Sequence, residues 1–151
     1  MNLDFLLPEE DRQKDGFQLL DFSQLIMAAA FQEFGKDAGF PKVTTAMTRH
    51  LVLNSIRKNI VQFKKLGYTI PIICVDNSKN GYWRRTKSYY YKKNRAKARE
   101  ESQFDWEGLH AAMHIIIDEM EKHMPYIVMN IDKVEADDHI AVLTRILTAL
   151  G

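Results

Sequence analysis

The sequence predicts an α/β fold built on a parallel sheet with helices on both faces. Three apolar runs carry that reading: 17–21 (FQLLD), 70–76 (IPIICVD) and 126–131 (YIVMNI). None alternates cleanly between polar and apolar residues, as expected of strands buried on both faces. The stretches between and after them show helical periodicity and are long enough for the crossovers that parallel strands require.

The elements follow in order. The first run ends at Asp21, a favoured N-cap type for a following helix. Over 44–66 the stripe Val52, Ile56, Ile60 and Phe63 has i+4 and i+3 spacing, and Gly67 offers a C-cap. The second run leads into a basic segment at about 77–102. It leans helical over 92–101 but has no apolar stripe, so it is expected to project from the core. Over 105–124 the stripe is Leu109, Ala112, Met113, Ile116 and Met120, with Asp105 as N-cap and Pro125 just past the end. A last helix over 136–150 places Ile140, Leu143, Leu147 and Leu150 on one face. Met113, Met120, Met124 and Met129 occupy apolar positions and read as core filler.

With 151 residues and 46% hydrophobic content, the chain can bury one respectable core, so 1–151 is expected to form a single domain. Its lone cysteine, Cys74, lies inside an apolar run and reads as a small core residue. It excludes an intrachain disulfide and fits a reducing compartment. The N-terminus lacks a basic start and a long apolar stretch, so a signal peptide is not expected. No apolar run approaches a membrane span, and the expectation is a soluble protein with no membrane partner.

Charge is distributed unevenly. There are 21 basic and 20 acidic residues, but eight of the basic ones crowd into 84–99 with no acid among them. Setting those eight aside leaves 13 basic against 20 acidic, a balance of −7 for the rest of the chain. Tyr82, Trp83, Tyr89, Tyr90 and Tyr91 are interleaved with the charges. Lys and Arg suit a phosphate backbone and aromatic rings stack on unpaired bases. A run of charge alone reads as a solvated face, but such a face gains nothing from five rings.

Acids gather near the ends of the apolar runs. In parallel α/β sheets ligands collect beyond the carboxyl ends of the strands. Asp21 and Asp76 end the first two runs, and Asp132, Glu135, Asp137 and Asp138 follow the third where the last helix opens. Crowded carboxylates need a hard cation, and Mg²⁺ or Mn²⁺ suits oxygen ligands and can polarise a phosphodiester. Any one of these acids alone reads better as a helix cap, as Asp21 or Asp137 would be. Three strand ends together, beside a basic segment, favour a metal site. His110 and His114 have i, i+4 spacing, but Ala111 stands where a zinc protease helix needs Glu, so a non-metal role is expected.

Four stretches, LLDFSQ, CVDNSKNGYWRR, YYYKKNRAKAREES and YIVMNIDKVEADDHIAVL, resemble in content and order the 5′ nuclease family of flap endonucleases and 5′→3′ exonucleases. The likeness is to its phage ribonuclease H branch and runs from about residue 17 to residue 143. The resemblance implies a PIN-like core and a metal site of Asp21, Asp76, Glu135, Asp137 and Asp138. It implies two Mg²⁺ or Mn²⁺ ions in the complete family site. Arg84 and Lys87 would contact the scissile phosphate as catalytic residues. Arg84, Arg85, Lys87, Tyr89, Tyr90, Lys92, Lys93, Arg95, Lys97 and Arg99 would form a basic arch over a single-stranded 5′ end. The implied activity is hydrolysis at 5′ flaps, forked DNA or RNA-primed DNA during replication in the cytoplasm of a phage host. A single-strand-binding protein and a sliding clamp are implied partners.

Family members continue into a further strand with an Asp-Gly-Asp-like motif and then a helix-turn-helix module, whereas this sequence stops at Gly151. A truncated protein, half of a split gene and a decayed gene all accommodate that. The sheet and last helix are then expected to be less well covered, and the first acid cluster and the arch to be retained with weak hydrolysis. The rival readings are a half that grips 5′ single strands and needs a second polypeptide for catalysis, and a compact PIN-type nuclease.

Overall fold

A computed structural model describes residues 15–34, 42–88, 90–91 and 104–150. The elements are β1 (Gly16–Asp21), α1 (Phe22–Phe34), α2 (Thr45–Lys64), β2 (Tyr68–Cys74), α3 (Trp83–Lys87), α4 (Trp106–His123), β3 (Ile127–Met129) and α5 (Ala136–Leu150). The strands form one sheet in the order β1-β2-β3, parallel throughout, as the uninterrupted apolar runs predict. The register pairs Asp21 with Cys74 and Cys74 with Met129. All three carboxyl ends therefore reach one edge together.

Alternation along the strands divides the core in two. Leu20, Ile73 and Val75 pack with Phe22, Ile26, Val52, Ile56, Leu109, Ile116 and Met120, so α1, α2 and α4 share one face. Ile72 and Cys74 point the other way, onto Ala136, with Ile140, Leu143 and Leu147 partly buried beside them. That places α5 on the opposite face. Cys74 is fully buried, and burial, aided by the Asp21 charge, pushes its thiol up to about 11. It is a core residue.

The helix boundaries follow from capping. Thr44 opens α2, its side-chain oxygen accepting from the Met47 N–H at 3.3 Å. Asp105 opens α4 and does two jobs, accepting from Gly108 N–H at 2.9 Å and from Val43 N–H at 3.0 Å. The second bond ties the start of α4 to the chain entering α2. An Arg49–Glu119 fork, with bonds of 2.7 and 2.6 Å, joins the same two helices further along.

Some details differ from the sequence reading. Lys65, not Gly67, is the C-cap of α2; Gly67 lies two residues on, where φ of 86° turns the chain into β2. Its carbonyl accepts from Gly16 N–H, so β2 begins earlier than the apolar run suggests. Leu150 falls on the predicted apolar stripe but is 77% exposed, because the last turn of α5 lies past the buried cluster. The start of the basic segment does not project: α3 docks on the loop that opens α5, with Trp83 N–H donating to the Lys133 carbonyl at 3.1 Å. The helix predicted over 92–101 lies outside the described residues. Among the described residues, no helix is long and apolar enough to cross a membrane.

Ile56→Ala should cost about 2–5 kcal/mol, because the side chain is completely enclosed in the core. A urea midpoint shift at unchanged m-value checks it. Asp105 provides a pH test. Hydrogen bonds from Gly108 and Val43 hold its carboxyl below the ordinary value of 3.8. A depressed folded-state pKa contributes stability above the unfolded value and loses it as pH falls through the folded one. The stability gap between the wild type and Asp105→Ala should thus be full at neutral pH and narrow in acid below 3.8.

Candidate active site at the carboxyl edge of the sheet

The aligned strand ends set the positions of the acids. Asp21 is the last residue of β1; its Oδ1 accepts from Gln24 N–H at 2.9 Å, capping α1. Asp76 lies just beyond β2, and its Oδ1 accepts from Ala136 N–H at 2.9 Å, across the sheet edge. Asp76 therefore caps α5, a helix that starts 60 residues later. Asp138 also contributes, its Oδ2 accepting from Glu135 N–H at 3.2 Å while the Glu135 carbonyl takes Asp138 N–H. The cap that the sequence reading gave to Asp137 thus belongs to Asp76 and Asp138.

Two subsets of acids result. Asp76 and Asp137 both lie within electrostatic reach of Asp21. Burial pushes the Asp21 carboxyl above its ordinary value, and the charges of Asp76 and Asp137 push it further, against the lowering bond from Gln24. Beside Asp21 a cleft of about 350 Å³ is lined by Leu19, Gln24, Ala28 and Asn59, among others.

Glu135 and Asp138 face the basic helix. Arg84 Nη1 donates to Glu135 Oε2 and, at 2.9 Å, to Asp138 Oδ2, while Nη2 donates to Asp138 Oδ1. Trp83 Nε1 donates to Asp138 Oδ2 at 2.9 Å. Tyr91 Oη donates to both Glu135 oxygens at 3.0–3.1 Å. Burial raises the Asp138 pKa, but the bonds from Trp83 and Arg84 outweigh it and hold the carboxyl below its ordinary value. Asp138, then Glu135, raise the Arg84 pKa in turn. Glu135 is only 2% exposed, so its charge needs this company.

The donor chemistry fits a hard divalent cation: carboxylate oxygens at one edge, with burial and then the charges of Asp76 and Asp137 holding the Asp21 carboxyl above its ordinary value. Ready-made geometry is missing, for among the described residues no three Asp, Glu, His or Cys side chains gather closely enough to hold an ion. Of the nucleic-acid candidates, Arg84 faces the acids, and Arg85 lies over the Tyr82 ring at 5.8 Å. Lys87 and Tyr90 are exposed, Tyr90 by 80%. Tyr89, Lys92, Lys93, Arg95, Lys97 and Arg99 lie outside the described residues.

Three participants were not assigned roles by sequence. Trp83 and Tyr91 appear there only as members of an aromatic run, with nothing to mark them as donors to buried acids. His139 sits one helical residue past Asp138, 4% exposed, its Nε2 without a hydrogen-bond partner among the described residues. Burial lowers its pKa against the raising charges of Asp138 and Asp76. A histidine three residues into a helix gives no sequence signal for such a position.

No protein-family profile matches the chain. It is 52% identical over 145 residues to the ribonuclease H of enterobacteria phage T4, a match that takes in 96% of this chain and 46% of that protein. The chain thus spans about half the length of the curated relative it matches.

Asp21→Asn should stabilise the metal-free protein. Asn still accepts the Gln24 N–H, and the uncompensated charge is gone. A raised folded-state pKa contributes stability below the unfolded value and loses it as pH rises through the folded one. The variant's advantage in chelator should accordingly be present at neutral pH and vanish below about 3.8, read from urea midpoints across pH.

Proposed function

The chain belongs to the 5′ nuclease family, and from that footing we propose that it is a metal-dependent 5′→3′ exonuclease and flap endonuclease of the ribonuclease H type. Its substrates are 5′-flap, forked or RNA-primed DNA, and it acts in replication within the cytoplasm of a phage-infected host. A single-strand-binding protein and a sliding clamp are the proposed partners. The observation that carries the reading is the alignment of the carboxyl ends of a parallel sheet, where the charges of Asp76 and Asp137 bear on Asp21 and Arg84 of the basic helix pairs with Glu135 and Asp138.

In this reading Asp21, Asp76 and Asp137 hold Mg²⁺ or Mn²⁺, with Glu135 and Asp138 alongside. A hard cation bound there supplies charge that polarises a phosphodiester and makes water a better nucleophile. Arg84 and Lys87 orient the scissile phosphate and offset negative charge that grows on it in the transition state. Tyr90, exposed at the end of the described basic stretch, offers a stacking face for an unpaired base. Arg85 and the more distant Tyr89, Lys92, Lys93, Arg95, Lys97 and Arg99 track the backbone. Contacts of these kinds do not read sequence.

One observation favours a second reading. The acids described here do not gather three to an ion, which suits a half that grips 5′ single strands while a second polypeptide supplies the remaining ligands. A gel assay of the 151-residue chain on a 5′-flap duplex with Mn²⁺ separates the two. Cleavage near the junction, reduced by at least about 100-fold in Asp21→Asn, Asp76→Asn, is the expected outcome. Binding without cleavage by well-folded protein would instead establish the half-site reading.

A further inference from the structure

The contact between α3 and the start of α5 does something that hydrolysis alone does not need. Three donors from the short stretch 83–91 converge on two acids: the Arg84 guanidinium, the Trp83 indole N–H and the Tyr91 hydroxyl. The guanidinium also lies over two rings, 4.8 Å from the Trp83 centroid and 6.0 Å from that of Tyr91. Lys133, whose carbonyl receives the Trp83 N–H, has φ of 66°, a left-handed conformation that a lysine rarely adopts without support. The whole stretch is built around a cation seated between Glu135 and Asp138.

That seat is the place of positive charge in an acidic site, and Arg84 fills it from a helix only five residues long. So short a helix has little stability of its own and keeps its place through these contacts. We propose that Arg84 is an exchangeable internal counter-ion: seated between Glu135 and Asp138 it latches α3 onto α5, and a divalent cation reaching these acids displaces it and frees the guanidinium for a substrate phosphate. The latch builds on the metal and phosphodiester reading given above. Trp83 and Tyr91 are positioning residues within it, acting on Asp138 and Glu135.

Exchange has a thermodynamic consequence. A cation that releases Arg84 raises the affinity for a phosphate group, and a phosphate that draws Arg84 away must raise the affinity for the cation equally. It also accounts for the absence of a preassembled ion cage among the described acids: two of the five carboxylates are spoken for by Arg84 until the cation arrives.

The test is Mn²⁺ binding to the intact chain, followed by the resonance signal of free Mn²⁺ and by Trp83 emission in a Trp106→Phe background, where Trp83 is the remaining one of the two tryptophans. Arg84→Gln should bind Mn²⁺ at least about tenfold more tightly than the wild type, since the charge-assisted bonds that compete with the ion are removed. In the wild type Trp83 emission should change with the same midpoint as Mn²⁺ binding; in Arg84→Gln the change should be present before metal is added. Arg84→Lys, which keeps the charge but loses the fork, should fall between, and it carries the same decision if the glutamine variant does not fold. Folded variants that bind Mn²⁺ no more tightly than the wild type overturn the latch, and if Asp21→Asn, Asp76→Asn still abolishes that binding the metal reading survives. No Mn²⁺ binding to any of the proteins overturns both.

Discussion

A carboxylate that is almost completely buried must be paired, and the neighbourhood of Glu135 is arranged around that requirement. With 2% of its surface exposed, Glu135 loses most of its hydration, a penalty of several kcal/mol that only a close positive charge and hydrogen bonds offset. Arg84 provides the charge and Tyr91 a hydroxyl. To bring them there, the chain after β2 must fold back over the start of α5. Two backbone bonds trace that return: Asn77 N–H to the Val134 carbonyl and Trp83 N–H to that of Lys133. The placement of Arg84 and Tyr91 thus answers to one buried acid as much as to the local sequence.

The sheet supplies the opposite constraint. Helices pack on both of its faces, α1, α2 and α4 on one side and α5 on the other. Polar chemistry is pushed to the edges, and the parallel arrangement brings all three carboxyl ends to the same one. Asp21 and Asp76 each spend one oxygen on a helix N-terminus. Capping and ligation are not rivals here, because a carboxylate has a second oxygen and the positive helix end lowers the cost of its charge. The caps hold the carboxylates in place without exhausting them.

Much of this was legible in order along the chain. The strands at 17–21 and 70–76 were readable because residues buried on both faces leave an unbroken apolar run, and β3 because Pro125 isolates it from α4. The N-cap Asp105 and the stripe of α4 appeared where local chemistry alone determines them. Gly67 misled by two residues because a turn glycine marks a reversal of the chain and not the last helical hydrogen bond. Leu150 misled because periodicity records which way a side chain points, not whether anything lies opposite.

By itself, the sequence determined the α/β class, the parallel order, the acids at three strand ends and the basic, aromatic stretch that follows the second. These depend on periodicity, composition and chain order, which are local quantities. Only the tertiary structure decided how the acids divide: Asp76 and Asp137 act on Asp21, while Glu135 and Asp138 are claimed by Arg84, Trp83 and Tyr91. The hydrogen-bonded pairs among them join residues 44 to 55 positions apart. No local pattern encodes which of several acids a given arginine will meet, because that choice is made by burial and by the aligned ends of the sheet.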